Sequence, residues 1–155
     1  MLYAALLALH SIGRWFALLL PVVVLQRASR AAIVRSPETP LDRRLLLAAT
    51  IALDVQALFG LLLWLGVSPL GVAGIGRTPG LMKNPVLRYW AVEHGPVLLV
   101  ALLTFHALAA SAKKLEDATS RHRRVAIAAG VVVLAILATM PWPGLPYGRP
   151  LLPHA

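Results

Sequence analysis

Residues 1–25 read MLYAALLALHSIGRWFALLLPVVVL, an apolar run that is interrupted by His10, Ser11 and Arg14. A helix needs roughly 20 mainly apolar residues to cross the hydrocarbon core of a bilayer, and this run is long enough to do so. It lacks the basic segment that precedes the apolar core of a secretory signal peptide. The run therefore predicts a retained membrane-spanning helix.

The composition of the whole chain agrees with this interpretation. Of the 155 residues, 59% are hydrophobic and 14% are charged, whereas a soluble domain is about half apolar and a quarter charged. Apolar runs predict spanning helices at about residues 2–25, 45–67, 86–112 and 125–140. We therefore expect an all-α fold, an integral membrane four-helix bundle that forms a single transmembrane domain over residues 1–155.

The distribution of charge predicts the orientation of the bundle. The formal net charge is +9, but the basic residues cluster in the short loops 26–44 and 113–124, which argues against a nucleic-acid partner. The loop 66–85 between them has Arg77 and Lys83 as its basic residues. Basic loops remain in the cytoplasm. We therefore expect a multi-pass membrane protein that is in contact with lipid and has both termini on the outer side.

Two histidines are predicted to share one depth in the membrane. His10 and His94 each lie about eight residues from the outer end of a spanning helix, and the first and third helices run in the same direction. Helical bundles build cofactor sites from side chains on facing helices. His10 and His94 are therefore candidate axial ligands of a haem iron. The alternative is that each histidine makes only a hydrogen bond between packed helices.

Further residues are candidates for the same site or for a second one. Arg14 follows His10 by four residues and shares its helix face. Arg88 lies at the predicted outer headgroup level, where a guanidinium can pair with the carboxylates of a cofactor. Other side chains are candidates for a second haem or for a replacement axial ligand: His106, His122 and Met140.

Three charged residues inside apolar runs predict a buried charge network. Arg14 and Asp54 are both expected near the midplane, and Glu93 is expected slightly above them. Ionisable residues in spanning helices usually face the bundle interior and mark function. The network could be a structural ion pair that fixes the helix register. It could instead form a proton path, contact a quinone or pair with haem propionates.

Several short motifs resemble those of a family of small bacterial four-helix membrane proteins labelled cytochrome b-like. They are distributed over most of the chain: His10-Ser11-x-x-Arg14-Trp15, Met82-Lys83 before Arg88, Val92-Glu93-His94, Lys113-Lys114 and Pro141-Trp142. The resemblance implies a bundle that binds haem b, with His10 and His94 as its candidate ligands.

These observations together predict a membrane electron-transfer protein or a subunit of a respiratory complex, with one haem between the first and third helices. Quinone, other membrane redox subunits and further copies of the chain are the expected partners. No catalytic activity beyond electron transfer is expected, because no nucleophile or metal-binding triad is visible. The alternatives are a haem-free accessory membrane subunit and, less favoured, a small proton-coupled transporter.

Overall fold

The computed structural model describes residues 1–75 and 79–152, and all regular secondary structure in these ranges is helical. Its α-helices are α1 (Leu2–Val34), α2 (Pro40–Leu61), α3 (Val72–Ile75), α4 (Pro85–Arg88), α5 (His94–Ala112) and α6 (Ala118–Thr139). A π-helical turn, Leu62–Val67, extends α2, and another, Tyr89–Glu93, joins α4 to α5. A short 3-10 helix covers Leu81–Lys83. Arg77, which the sequence placed in the least basic loop, lies outside the described residues.

Four of these helical stretches are long and apolar enough to cross a membrane. They are span 1 (Leu2–Val34), span 2 (Pro40–Val67), span 3 (Pro85–Ala112) and span 4 (Ala118–Thr139). The predicted all-α class with four potential spanning helices is thus confirmed. We call the end of the bundle that holds Met1 and the end of span 4 the termini end, and the end with the loops 35–39 and 113–117 the basic-loop end.

The helices continue beyond the predicted apolar limits at the basic-loop end. Span 1 ends at Val34, span 2 begins at Pro40 and span 4 begins at Ala118, so each differs from its predicted boundary by five to nine residues. Hydropathy marks the part of a helix that suits hydrocarbon, whereas backbone hydrogen bonds and caps fix where the helix stops. The added turns carry arginines, which suit the headgroup region.

Side-chain caps begin three of the spans. Thr39 caps α2 in a reciprocal capping box with Asp42, and Asp117 caps α6 by accepting from the N–H of Ser120. Asn84 caps span 3 and is followed by Pro85 in the first helical position.

The bundle is open along one side. Span 1 packs against spans 2 and 4, and span 3 packs against span 4, whereas spans 2 and 3 make few contacts with each other. We call this open side the seam. Two side-chain hydrogen bonds between described residues cross it. Trp64 Nε1 donates to the carbonyl of Ala91 at 3.0 Å, and His106 Nε2 lies 2.8 Å from Asp54 Oδ1.

Small and branched side chains fill the core, which lets the helices approach closely without polar contacts. Its buried members include Ala17, Ala49, Ala101, Phe105, Ala128, Ala129 and Val132. Ion pairs complete the basic-loop end, where Arg27 meets Asp42 at 2.9 Å and Arg121 meets Glu38 at 2.6 Å.

The segment after span 4 folds back onto the termini end instead of leaving the bundle. We call residues 141–152 the tail. Tyr147 stacks on Tyr89 with ring centroids 3.7 Å apart, and the Arg149 guanidinium lies 4.6 Å from the centroid of the Trp90 ring. The tail has no helix, in keeping with its prolines. It covers part of the termini end.

Candidate functional site

His10 and His94 meet inside the termini end of the bundle. Their ring centroids are 6.4 Å apart and their ring planes are inclined by 75°. His10 comes from span 1 and His94 from span 3, and the two rings lie at one level as the sequence led us to expect. The structure therefore brings together the two residues on which the predicted cofactor site depends.

Span 3 and span 4 hold the His94 ring by one of its two nitrogens. His94 Nδ1 lies 3.0 Å from the carbonyl oxygen of Thr139 and 3.2 Å from the hydroxyl of Tyr89. The Tyr89 hydroxyl also donates to the Thr139 carbonyl. Because this carbonyl accepts the Nδ1 proton, the lone pair of His94 lies on Nε2.

The backbone around His94 is irregular for a local reason. Pro96 has no N–H, so the carbonyl of Val92 cannot receive the usual helical hydrogen bond. The chain widens into the π-helical turn Tyr89–Glu93 directly before His94. Such turns are often found at functional sites, where they direct a side chain away from the regular helical position.

Gln56 on span 2 holds the backbone and ring of His10. Its amide Nε2 donates to the His10 carbonyl at 3.0 Å and lies 3.3 Å from His10 Nε2. His10 Nδ1 and Gln56 Oε1 are buried without a hydrogen-bond partner among the described residues. Gly60 lies against the same ring, since a Cβ at Gly60 would stand 3.1 Å from His10 Cε1. The ring is thus closely confined but not fully hydrogen-bonded.

A cavity of about 170 Å³ lies beside the two histidines. It reaches from the termini end, where Arg14 and Arg149 line it, down to Leu53 and Leu102 on the two sides of the seam. Its wall is mainly apolar and includes the indole rings of Trp64 and Trp90. A mostly apolar cavity with a few convergent polar groups is the usual form of a small-molecule or cofactor site.

Arg14 is buried at this site and joins span 1 to the tail. Its side chain donates to the carbonyls of Pro150, at 2.8 Å, and Leu151. Trp15 Nε1 donates to the same Leu151 carbonyl at 3.2 Å. Arg14 is 9% exposed, so the tail carbonyls replace the water that a guanidinium would otherwise need.

The predicted buried network of Arg14, Asp54 and Glu93 was wrong. Arg14 contacts tail carbonyls, Asp54 pairs with His106 and Glu93 pairs with Arg88. The side chains of Asp54 and Glu93 are 48% and 44% exposed. The three residues point in different directions from their helices, and this rotation separates the three charged groups.

Arg88 does not reach the cavity. It is bound to Glu93 and to the carbonyl of Met82, and it does not line the space beside the histidines. Arg149 of the tail occupies the position that the sequence assigned to Arg88, because the tail folds back over Trp90. Arg88, the predicted cofactor contact, is therefore not among the residues that line the cavity, whereas Arg149 is.

The candidates for a second site are not brought together. His106 bonds to Asp54 at the seam. His122 is 4% exposed and lies beside Arg27 and Asp42 of spans 1 and 2, although its basic neighbours predicted a solvated position. Met140 is buried against Leu18 and Val133 and also lines the cavity, so it remains near the His94 level.

Sequence reasoning missed four side chains that surround the histidines. They are Gln56, Trp64, Tyr89 and Arg149. Gln56 could have been found, because an amide in the middle of an apolar run needs a partner within the bundle. Arg149 could not, because its position depends on the folding back of the tail.

Among the described residues, no group of three or more His, Asp or Glu side chains could hold a metal ion. The candidate site therefore rests on two imidazoles and their surroundings. No family model, no curated protein and no solved structure matches this chain.

Proposed function

We propose that this chain is a membrane electron-transfer protein that binds one haem b between spans 1 and 3, with His10 and His94 as its axial ligands. The observation that carries the proposal is the approach of the two rings at one level, with centroids 6.4 Å apart. A first-row metal holds an imidazole nitrogen at about 2 Å, so two rings on opposite sides of one ion have centroids roughly 6 Å apart. Two axial imidazoles suffice because the macrocycle supplies the remaining nitrogens.

The hydrogen bonds around the histidines support the same function. A histidine that binds a metal usually donates its other ring N–H to a carbonyl or carboxylate, which fixes the ring orientation. His94 has such a partner in the carbonyl of Thr139. Among the described residues, one buried nitrogen of His10 and the buried amide oxygen of Gln56 have no hydrogen-bond partner. A bound group would satisfy such atoms, which otherwise carry a cost of desolvation.

The charges at the cavity suit a cofactor with carboxylates. Arg14 and Arg149 line the cavity near the histidines. Guanidinium groups pair well with carboxylates, so these two residues would hold the propionates. Haem supplies a one-electron couple when bound, and the apolar wall around it would set its potential through burial and exclusion of water.

The resemblance to cytochrome b-like proteins and the charge of the loops support a place in the bacterial inner membrane, with the termini end facing the periplasm. Five basic residues in each of the loops 26–44 and 113–124 favour the cytoplasm for the basic-loop end. In this orientation the haem lies toward the outer leaflet, where it could serve another subunit of a respiratory complex.

A difference spectrum tests the proposal. The chain is purified in detergent from haem-replete cells, and the dithionite-reduced spectrum is compared with the oxidised one. We expect a sharp α-band of the b type that disappears in His10→Ala and in His94→Ala. His106→Ala serves as the matched control and keeps the band, because His106 bonds to Asp54 outside the site. A colourless wild-type preparation would refute the proposal.

A haem-free accessory subunit is the second candidate, and one observation favours it. Both histidines already take part in contacts between spans: His94 contacts Thr139 of span 4, and His10 contacts Gln56 of span 2. Such contacts could hold the bundle together without a cofactor. This function predicts that His94→Ala destabilises the colourless protein, and thermal unfolding in detergent with and without added haemin separates the two candidates.

A further inference from the structure

Two side-chain hydrogen bonds cross the seam at different levels of the bundle. The Trp64–Ala91 hydrogen bond crosses it toward the termini end, and the Asp54–His106 bond crosses it toward the basic-loop end. The two levels are separated by about 15 Å along span 2, at 1.5 Å per helical residue. Between them, spans 2 and 3 make few contacts, and the cavity beside the histidines lies directly behind. The seam is thus a lateral window between the cavity and the surroundings of the bundle.

The Asp54–His106 pair is placed unusually for a membrane helix. Its side chains are 48% and 42% exposed, although both lie within spans. Exposed aliphatic residues surround the pair, with Ile51 and Leu58 one turn to each side of Asp54 and Leu103 one turn before His106. An ionisable pair that faces hydrocarbon is costly and usually marks a functional site.

The pair also has unused hydrogen-bonding capacity. Its one bond joins His106 Nε2 to Asp54 Oδ1. Within the described residues, neither Asp54 Oδ2 nor His106 Nδ1 makes a hydrogen bond. As an imidazolium–carboxylate pair, it offers the Nδ1–H of His106 as a donor and Asp54 Oδ2 as an acceptor to a molecule in the window.

We propose that the window binds the ring of a lipid-soluble quinone, with Asp54 and His106 as its polar contacts. A quinone oxygen accepts a hydrogen bond from an imidazole N–H, and a quinol hydroxyl donates one to a carboxylate. The pair therefore matches both forms of the same ring, and the isoprenoid chain remains in the lipid. The inference deepens the proposed function, on which it rests, by naming the class of molecule that exchanges electrons with the haem site.

The shape of the window favours such a ring over a second copy of the chain. A spanning helix is about 30 Å long and would have to lie along the seam. The two side-chain bridges block such a path at levels only about 15 Å apart. A single ring with a flexible tail fits between the bridges and enters from the membrane.

Quenching of tryptophan fluorescence in lipid nanodiscs tests the proposal, with decylubiquinone as the probe. Trp64 frames the window about 15 Å along span 2 from Asp54, and Trp90 lines the cavity, so both indoles can report a quinone bound in the window. We expect decylubiquinone to quench the tryptophan fluorescence of the wild type in a saturable manner. Asp54→Leu and His106→Leu should weaken it by about tenfold, since each removes a hydrogen bond to a charged or ionisable group. His106→Gln should restore part of the affinity, because its amide keeps a donor.

Both leucine variants should remain folded, because leucine suits a position that faces hydrocarbon. The matched control is Thr104→Leu, two residues from His106 and on the opposite side of the helix, where the hydroxyl bonds to the Val100 carbonyl of its own span. Decylubiquinone should quench the tryptophan fluorescence of this variant as strongly as that of the wild type.

Three results would overturn the inference. Non-saturable quenching that is equal in all variants would show partitioning into the bilayer only. Saturable quenching that both leucine variants retain would place the quinone elsewhere. A dimer seen by native mass spectrometry that Asp54→Leu converts to monomer would make a second copy the occupant. Haem absorbance recorded on the same samples separates the two proposals: coloured protein without a quinone site refutes this inference alone, whereas colourless protein with the site refutes the haem.

Discussion

The two ends of the bundle are built from the same kind of helix but differ in how they are closed. At the basic-loop end, caps and ion pairs join the helices, alanines pack closely, and the one cavity described there, about 20 Å³, has room for about one water. At the termini end, both π-helical turns of the described residues surround a cavity of about 170 Å³. The difference indicates that close packing stabilises the bundle at the basic-loop end, which we call the closed end. The termini end, which we call the open end, retains space for a ligand.

The contact between Arg14 and the tail is the feature of the termini end whose removal should lower the stability of the protein most. Arg14→Met removes hydrogen bonds to the carbonyls of Pro150 and Leu151 and leaves these acceptors unpaired. Hydrogen bonds to charged groups contribute about 1.5–3 kcal/mol each, so we expect a loss of about 3 kcal/mol. Thermal unfolding in detergent measures the loss, and chymotrypsin should cleave more rapidly between Tyr147 and Gly148 of the released tail.

Arg30→Met is the control for Arg14→Met, because Arg30 is exposed near the basic-loop end. It should change neither stability nor cleavage. Equal chymotryptic cleavage after Tyr147 in the wild type and in Arg14→Met would show that the position of the tail does not depend on Arg14.

A larger side chain at the closed end should be the next most harmful change. Ala49 is 0% exposed and packs with Val24 and Ala129, so Ala49→Leu forces the helices apart. Overpacking of this kind costs about 2 kcal/mol. Ala107→Leu on the exposed side of span 3 should cost little. If thermal unfolding shows the same stability for both variants, the closed end is not tightly packed.

A smaller change at the open end should affect the site more than the fold. In Gly60→Ala the new Cβ would stand 3.1 Å from the ring of His10 and displace it by a few tenths of an ångström. Alanine favours a helix over glycine by about 1 kcal/mol, which offsets the crowding. We expect lower haem occupancy and nearly unchanged unfolding.

Gly66→Ala is the matched control for the glycine, because nothing lies within 4 Å of a Cβ at that position. It should keep full haem occupancy in the absorbance spectrum. The same occupancy in Gly60→Ala would mean that the His10 ring is not confined as described.

The smallest effect should come from the cap of span 4. Hydrogen bonds from Ser120 hold the pKa of Asp117 below its ordinary value. A carboxylate with a lowered folded-state pKa stabilises the fold above its unfolded pKa of about 3.9, and this contribution disappears as the pH falls through the folded value. Asp117→Ala should therefore lower the unfolding temperature slightly at neutral pH but not in strong acid. Glu116→Ala should have no such pH-dependent effect, and equal losses at both pH values would contradict the assignment.

Much of the architecture could be predicted from the sequence, because apolar runs and proline positions are local properties. The number of spans, the start of span 3 at Asn84-Pro85 and the common level of His10 and His94 could all be predicted. The rotation of each helix about its axis could not. That rotation turns Asp54 toward His106 instead of Arg14, and it buries His122 despite its basic neighbours. The contacts of Arg14 and Arg149 depend on the tail, whose course no periodic pattern predicts.

The central claim is that two imidazoles from spans 1 and 3 hold one haem. The most direct measurement is electron paramagnetic resonance of the oxidised protein, combined with the haem content per chain. We predict one haem per chain with the low-spin ferric signal of two axial imidazoles, and loss of that signal when either His10 or His94 is replaced. A protein without haem, or a haem signal that survives both replacements, would contradict the account.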